Sequence, residues 1–297
     1  MGVVITATGV SHGADTAGII VNSARAARAA LASAGAPPES VGVLVNTGIY
    51  RDSNMVEPAM SALIQKEAGI GLEYEEHDPR TFSFDLMNGA CGVLNAVQVA
   101  SALLATGSTG RVLVVAGDTH PSLAGPDAPD DFPYATAGAA LLLESVDGPD
   151  GFGPVHVELG DGSAAVEGFV DTATMGTTGR TAMTVRRGDD FERRILDVAV
   201  AVGSRALTGD ADPATTVLIA SQPTPGFRAE LSAKLGIRVL DDGTGDHVTG
   251  DTHTATLPLA YHHAANSGRL DGVRHVLMVA AGAGPSAAAA LYRIPGW

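Results

Sequence analysis

Along the chain, stretches with apolar residues every third or fourth position alternate with short runs in which nearly every residue is apolar. The first pattern predicts helices over 23–34, 93–105, 190–207, 226–235 and 254–267. The second predicts strands over 41–45, 111–116, 138–144, 216–220, 237–240, 275–280 and 288–293. Gly35 stops the first helix, and the turn formers Asp147-Gly148-Pro149-Asp150-Gly151 divide the chain. A helix, a short turn and a wholly apolar strand recur on each side of that divide. Wholly apolar strands suit a sheet covered on both faces. The expectation is an α/β chain of two related halves, 1–148 and 149–297, stacked as a five-layer αβαβα sandwich.

Composition agrees with a packed protein: 45 % of the 297 residues are hydrophobic. Met1 to Thr6 carry no basic region ahead of an apolar stretch, and no apolar run reaches transmembrane length, so a cytoplasmic chain is expected. The single Cys91 excludes an internal disulfide framework and cannot build a thiolate metal site alone. No His/Asp/Glu spacing matches a metal motif, and no metal is expected. A net charge of −15 argues against nucleic-acid or anionic-membrane partners. An acidic carrier protein or a CoA phosphate would need a local basic spot. Arg186-Arg187 and Arg193-Arg194, the only adjacent basic pairs, lie in one stretch.

The segment from Phe84 to Val97 passes from a strand through a Gly-containing turn into an apolar helix, with Cys91 at the turn. Cysteine at a helix N-terminus is expected to have a depressed thiol pKa, because free backbone N–H groups and the helix dipole favour the thiolate. Such a thiolate can accept an acyl group from a thioester. The competing reading is an inert core cysteine.

This segment resembles the nucleophile turn of ketoacyl synthase III enzymes, D-x-x-x-A-C-x-G-[FV], at Asp85, Gly92 and Leu94-Asn95-Ala96-Val97. The resemblance extends to Val112–Asp118, Leu235-Gly236-Ile237, Gly250–Pro258, and the glycine loop Ala281-Gly282-Ala283-Gly284 with the final strand Ala288–Leu291. It covers nearly the whole chain and implies the thiolase fold. It further implies a dimer formed through the central strands, as a homodimer or with a paralogue. The implied thioester partner is acyl-CoA or acyl carrier protein, with CoA or phosphopantetheine as part of the substrate and no separate cofactor. Secondary metabolism is the implied setting. The Ala283 backbone N–H would join that of the nucleophile in an oxyanion hole.

The site departs from the family pattern. Counted without a gap from Asp85, the nucleophile position falls on Ala90, and Cys91 follows one residue later. A one-residue adjustment at Gly89 would restore Cys91. The family's P-H-Q-A-N aligns with Ala220-Ser221-Gln222-Pro223-Thr224, so Ser221 replaces the His and cannot act as acid or base near neutrality. G-N-T-S reads Gly250-Asp251-Thr252-His253, replacing an amide donor with a carboxylate that would repel a developing enolate. One reading is a site rebuilt for acyl transfer, with Cys91 acylated and His253 the general base, its ring oriented by Asp251 two residues earlier on the same side of an extended loop. The other is an inactive subunit partnering an active paralogue. Glu57 resembles the catalytic Glu of hydroxymethylglutaryl-CoA synthases in place, against a role as a helix-start carboxylate. His120 follows a strand end that could line the cleft, and His262 and His263 are expected at a surface or interface. The stretch 155–185 is short for the family, which implies a small or openly bound acyl group.

Overall fold

The apolar runs of the first half pair into one sheet. It comprises β1 (Gly2–Ser11), β2 (Val43–Asn46), β3 (Phe82–Asp85), β4 (Val112–Asp118) and β5 (Ala137–Val146), in the order β1-β5-β4-β2-β3. β2 runs parallel to both β3 and β4, so the carboxyl ends of these three strands lie together. In the second half, β6 (Gly151–Phe152) and β7 (His156–Leu159) flank the main sheet, and β8 (Val166–Phe169) pairs with β9 (Thr184–Arg187) in a separate two-stranded sheet. β10 (Thr216–Ala220), β11 (Arg238–Val239), β12 (His275–Gly282) and β13 (Ser286–Arg293) complete the sheet, ordered β11-β10-β12-β13-β6 with β7 beside β13. This computed structural model describes residues 1–13, 15, 18–54, 57–72, 75, 81–119, 135–173, 184–207, 211–282 and 284–296.

The helices are α1 (Ile19–Ala34), α2 (Met60–Ala68), α3 (Gly92–Ala105), α4 (Phe191–Ala206), α5 (Phe227–Leu235) and α6 (Thr256–Asn266). The buried faces of α1 and α2 cover one side of the first sheet. α3 and α6 fill the middle layer, packing Val93, Val97 and Leu259 against the first sheet and Leu94, Leu257 and Tyr261 against the second. α4 and α5 cover the far side of the second sheet. The result is an α/β five-layer sandwich in which β2, β4, β10 and β12 are buried along their whole length.

Differences from the expected elements have local causes. β1 and α2 do not stand out in the apolar pattern. Pairing with β5 along its length makes β1 a strand, and backbone N–H groups of Met60 and Ser61 at the start of α2 are capped by the Asp85 carboxylate. The helix expected over 254–267 begins instead with a tight 3-10 turn, His253–Ala255, ahead of α6. His253 has φ +45°, which an α-helix excludes.

Candidate functional site

The site forms where the carboxyl ends of the parallel strands meet the turn before α6, the usual place for ligands in an open α/β sheet. Asp118 is the last residue of β4 and is buried. Its Oδ1 accepts the backbone N–H groups of Ile49 (2.8 Å) and Tyr50 (2.7 Å), from the loop after β2. Its Oδ2 accepts the Thr254 N–H at 3.1 Å and hydroxyl at 2.7 Å, and lies 2.9 Å from His253 Nδ1. A carboxylate only accepts, so Nδ1 carries the proton and Nε2 carries the lone pair. Nε2 faces the turn before α3: a Cβ placed on Gly89 would lie 3.5 Å from it. The Tyr50 ring leans against the imidazole at 5.6 Å.

Burial alone would pull the His253 pKa down, but the Asp118 carboxylate and, less strongly, Asp251 more than offset it, so His253 titrates above its ordinary value. Burial pushes Asp118 the other way from its partners, and the charge and hydrogen bonds of His253 prevail, keeping it ionised with a lowered pKa.

Sequence reading pairs His253 with the wrong carboxylate. Asp251 Oδ1 instead accepts the backbone N–H of His253 at 2.8 Å, a bond from a side chain to the backbone two residues on. That bond occupies Asp251, and the positive φ of His253 carries the ring toward β4, not along an extended loop. Burial raises the Asp251 pKa, against the lowering pull of His253. The missed residue is Asp118. Its signal was an acid ending a wholly apolar strand, in Gly117-Asp118-Thr119, where burial and a partner are to be expected.

Cys91 is the N-cap of α3 but does not face the turn. It is 0 % exposed among Leu94, Ile219 and Ala288, with Sγ 3.7 Å from the Ala280 carbonyl and 3.8 Å from Ser286 Oγ. Burial pushes its thiol up to about 11, so desolvation outweighs the helix terminus and the expected depression of its pKa does not occur. Gly89 does adopt φ +50°, yet this leaves Cys91 in the core and Ala90 facing the glycine loop: a Cβ on Gly282 would lie 3.4 Å from that of Ala90. Ser221 has a structural bond pattern, donating to the Ala281 carbonyl at 3.1 Å and accepting its N–H at 2.9 Å. Glu57 is exposed ahead of α2 and does not line the cleft described below. His120 and Ala283 lie outside the described residues. His262 and His263 join a cluster in which the rings of His12, His247 and His263 stack at 4.5–5.2 Å.

Beside the dyad opens a cleft of about 530 Å³, lined by Arg187, Gln222, Thr224, Arg228, Asp251 and Thr252 among others. His253, next in the chain to the lining residues Asp251 and Thr252, is 7 % exposed. Among the described residues no group of three His, Cys, Asp or Glu side chains could hold a metal ion, and no helix is long and apolar enough to cross a membrane.

The fold places this chain among the thiolase-fold α/β proteins. It superposes on 3-oxoacyl-(acyl carrier protein) synthase III from Pseudomonas aeruginosa PAO1 with TM-score 0.80 at 19 % identity, covering 100 % of this chain and 99 % of that one. The priming β-ketosynthase of the R1128 polyketide pathway superposes with TM-score 0.77 at 20 % identity, over 99 % and 96 % of the two chains. Residues 242–294 match the family described as 3-oxoacyl-[acyl-carrier-protein (ACP)] synthase III C terminal. The β-ketoacyl-[acyl-carrier-protein] synthase III of Acidiphilium cryptum is 28 % identical over 274 residues, 91 % of this chain and 82 % of its own length. Within the thiolase fold, the chain is therefore similar to the ketoacyl-ACP-synthase-III-like proteins.

Proposed function

We propose that this chain is an acyl-thioester-dependent acyltransferase in which His253, positioned by Asp118, activates the acceptor directly. The observation that carries this reading is the 2.9 Å Nδ1–Asp118 contact with Nε2 turned to the Gly89 turn. Neutral His253 takes the proton of an acceptor O–H or N–H as its oxygen or nitrogen attacks the thioester carbonyl. The C–S bond breaks, and the leaving thiolate receives the proton back from His253. The thioester would be presented as acyl-CoA or on an acyl carrier protein, the donors of the ketoacyl-synthase-III-like relatives. Likeness to the priming synthase of a polyketide pathway supports a place in secondary metabolism. An acyl-Cys91 step gains no support from a sulfur that is buried with its pKa raised.

The test is turnover of a panel of acyl-CoAs with hydroxylamine as probe acceptor, reading released thiol and acyl hydroxamate. Wild type and Cys91→Ala are expected to turn over alike, while His253→Gln loses about 10²-fold or more. An acyl adduct seen by intact mass and absent from Cys91→Ala overturns direct transfer.

One observation favours a second reading, a catalytically silent subunit of a dimer: Ser221 closes the family's His position by bonding Ala281. Inert wild type across the panel, together with stable pairing to a paralogue carrying Cys, His and Asn, would select it.

A further inference from the structure

Arg187 ends β9 and lines the cleft beside Asp251 and Thr252. Its guanidinium carbon stacks 4.9 Å over the ring of Phe191, the first residue of α4, which holds the side chain in place. Among the described residues it makes no ion pair, and its Nε is buried with no hydrogen-bond partner. Arg228 lines the same cleft in a different state: its Nε donates to the Ala220 carbonyl at 2.8 Å and its Nη1 lies 3.5 Å from Asp242. A buried guanidinium donor without an acceptor is costly. A ligand oxygen in the cleft would satisfy it.

The nature of that oxygen follows from position. Arg187 lines the cleft together with Asp251 and Thr252, the two residues just before His253, so its charge lies at the proposed reacting end of the cleft. A phosphopantetheine arm keeps its phosphate a full arm's length from its thioester. An anion at Arg187 therefore belongs to the acyl group or to the acceptor. The planar fork of arginine matches a carboxylate with two parallel hydrogen bonds. Asp251 shares the cleft, but burial raises its pKa and so weakens its repulsion of an incoming anion.

We propose that Arg187 is a specificity-determining residue, binding a carboxylate on the acyl group or acceptor that reaches His253. The proposal rests on the cleft being the substrate site of the acyltransferase reading. Calorimetry on the full chain tests it with two matched pairs. Succinyl-CoA and butyryl-CoA differ in a terminal carboxylate on the donor. Free 3-hydroxybutyrate and its methyl ester differ in a carboxylate on the acceptor.

In one pair the carboxylate form is expected to bind about tenfold tighter, as a charge-assisted contact gives. Arg187→Gln should abolish the preference, and Arg187→Lys should keep part of it by retaining charge without the fork. The lysine variant also guards against a glutamine variant weakened by loss of stacking on Phe191. Absence of a preference in both pairs, or a preference that survives Arg187→Gln, overturns the proposal and leaves the acyltransferase reading standing. Failure of every probe to bind overturns both.

Discussion

At the scale of single residues, two buried side chains define what the turn before α3 can do. Cys91 has its thiol raised to about 11 by burial, so only about a thousandth of it is thiolate at pH 8. The native chain is expected to resist a thiol-specific disulfide reagent at that pH and to react at once when unfolded. Rapid labelling of the folded chain would contradict the core placement of the sulfur. Asp118 acts on His253 through charge. With the carboxylate gone and burial unchanged, the His253 pKa falls, so Asp118→Asn should move the midpoint of the rising pH–rate profile to lower pH. The same change disturbs bonds to the backbone of Ile49, Tyr50 and Thr254. A cost of about 3 kcal/mol in urea unfolding is expected from breaking a buried charged network. A lower rate with an unshifted midpoint would mean that Asp118 is only a structural support.

At the scale of elements, β3 is an edge strand that pairs only with β2 among the described strands. Phe82 on it is 64 % exposed, with its ring 5.4 Å from that of Phe84, and Met87 just beyond is 51 % exposed. An unpaired apolar edge of this kind invites strand addition, which fits the proposed dimer through the central strands. Phe82→Lys is therefore expected to shift the chain from dimer to monomer in light scattering after size exclusion, with little loss of secondary structure. A wild-type chain that is already monomeric at micromolar concentration would remove this edge from the proposal. The turn His253–Ala255 belongs to the same scale. It separates Asp251 from the helix and sends the side chains of His253 and Thr254 to Asp118 at the end of β4.

At the scale of the whole molecule, the His12–His247–His263 stack ties the end of β1, in the first half, to the loop after β11 and to α6. His262 adjoins it and bonds Thr8 on β1 at 2.7 Å. Burial first, then neighbouring imidazoles, lowers the pKa of His12, His262 and His263, the last to about 4. A lowered folded-state value means the folded chain binds fewer protons than the unfolded one. The stabilisation is complete above the ordinary value of 6.5 and is lost as pH falls toward 4. His253, raised by Asp118, works oppositely: its contribution is complete below 6.5 and fades as pH rises through its folded value. The thermal midpoint is thus expected to fall between pH 6.5 and 5, and His263→Phe should flatten that fall while keeping a ring in the stack. An acid limb identical in the variant would show that the cluster does not couple to folding.

The sequence by itself determined the sandwich. Wholly apolar runs such as Val112–Ala116 and Val217–Ala220 are suited to sheets covered on both faces, and amphipathic stretches between them supply the covers. It also showed where the chain departs from the pattern it resembles, at Ser221 and Asp251 and, counted without a gap, at Ala90. Only the tertiary structure decided what the remaining groups do. Cys91 and Ala90 are neighbours in the chain, yet one side chain enters the core and the other faces the glycine loop, because the helix start turns successive residues apart. His253 lies two residues from Asp251 and 135 from Asp118, and it is the distant carboxylate that holds its ring. Short-range spacing favours the near partner. Burial at the end of β4 favours the far one, and burial is a property of the folded whole.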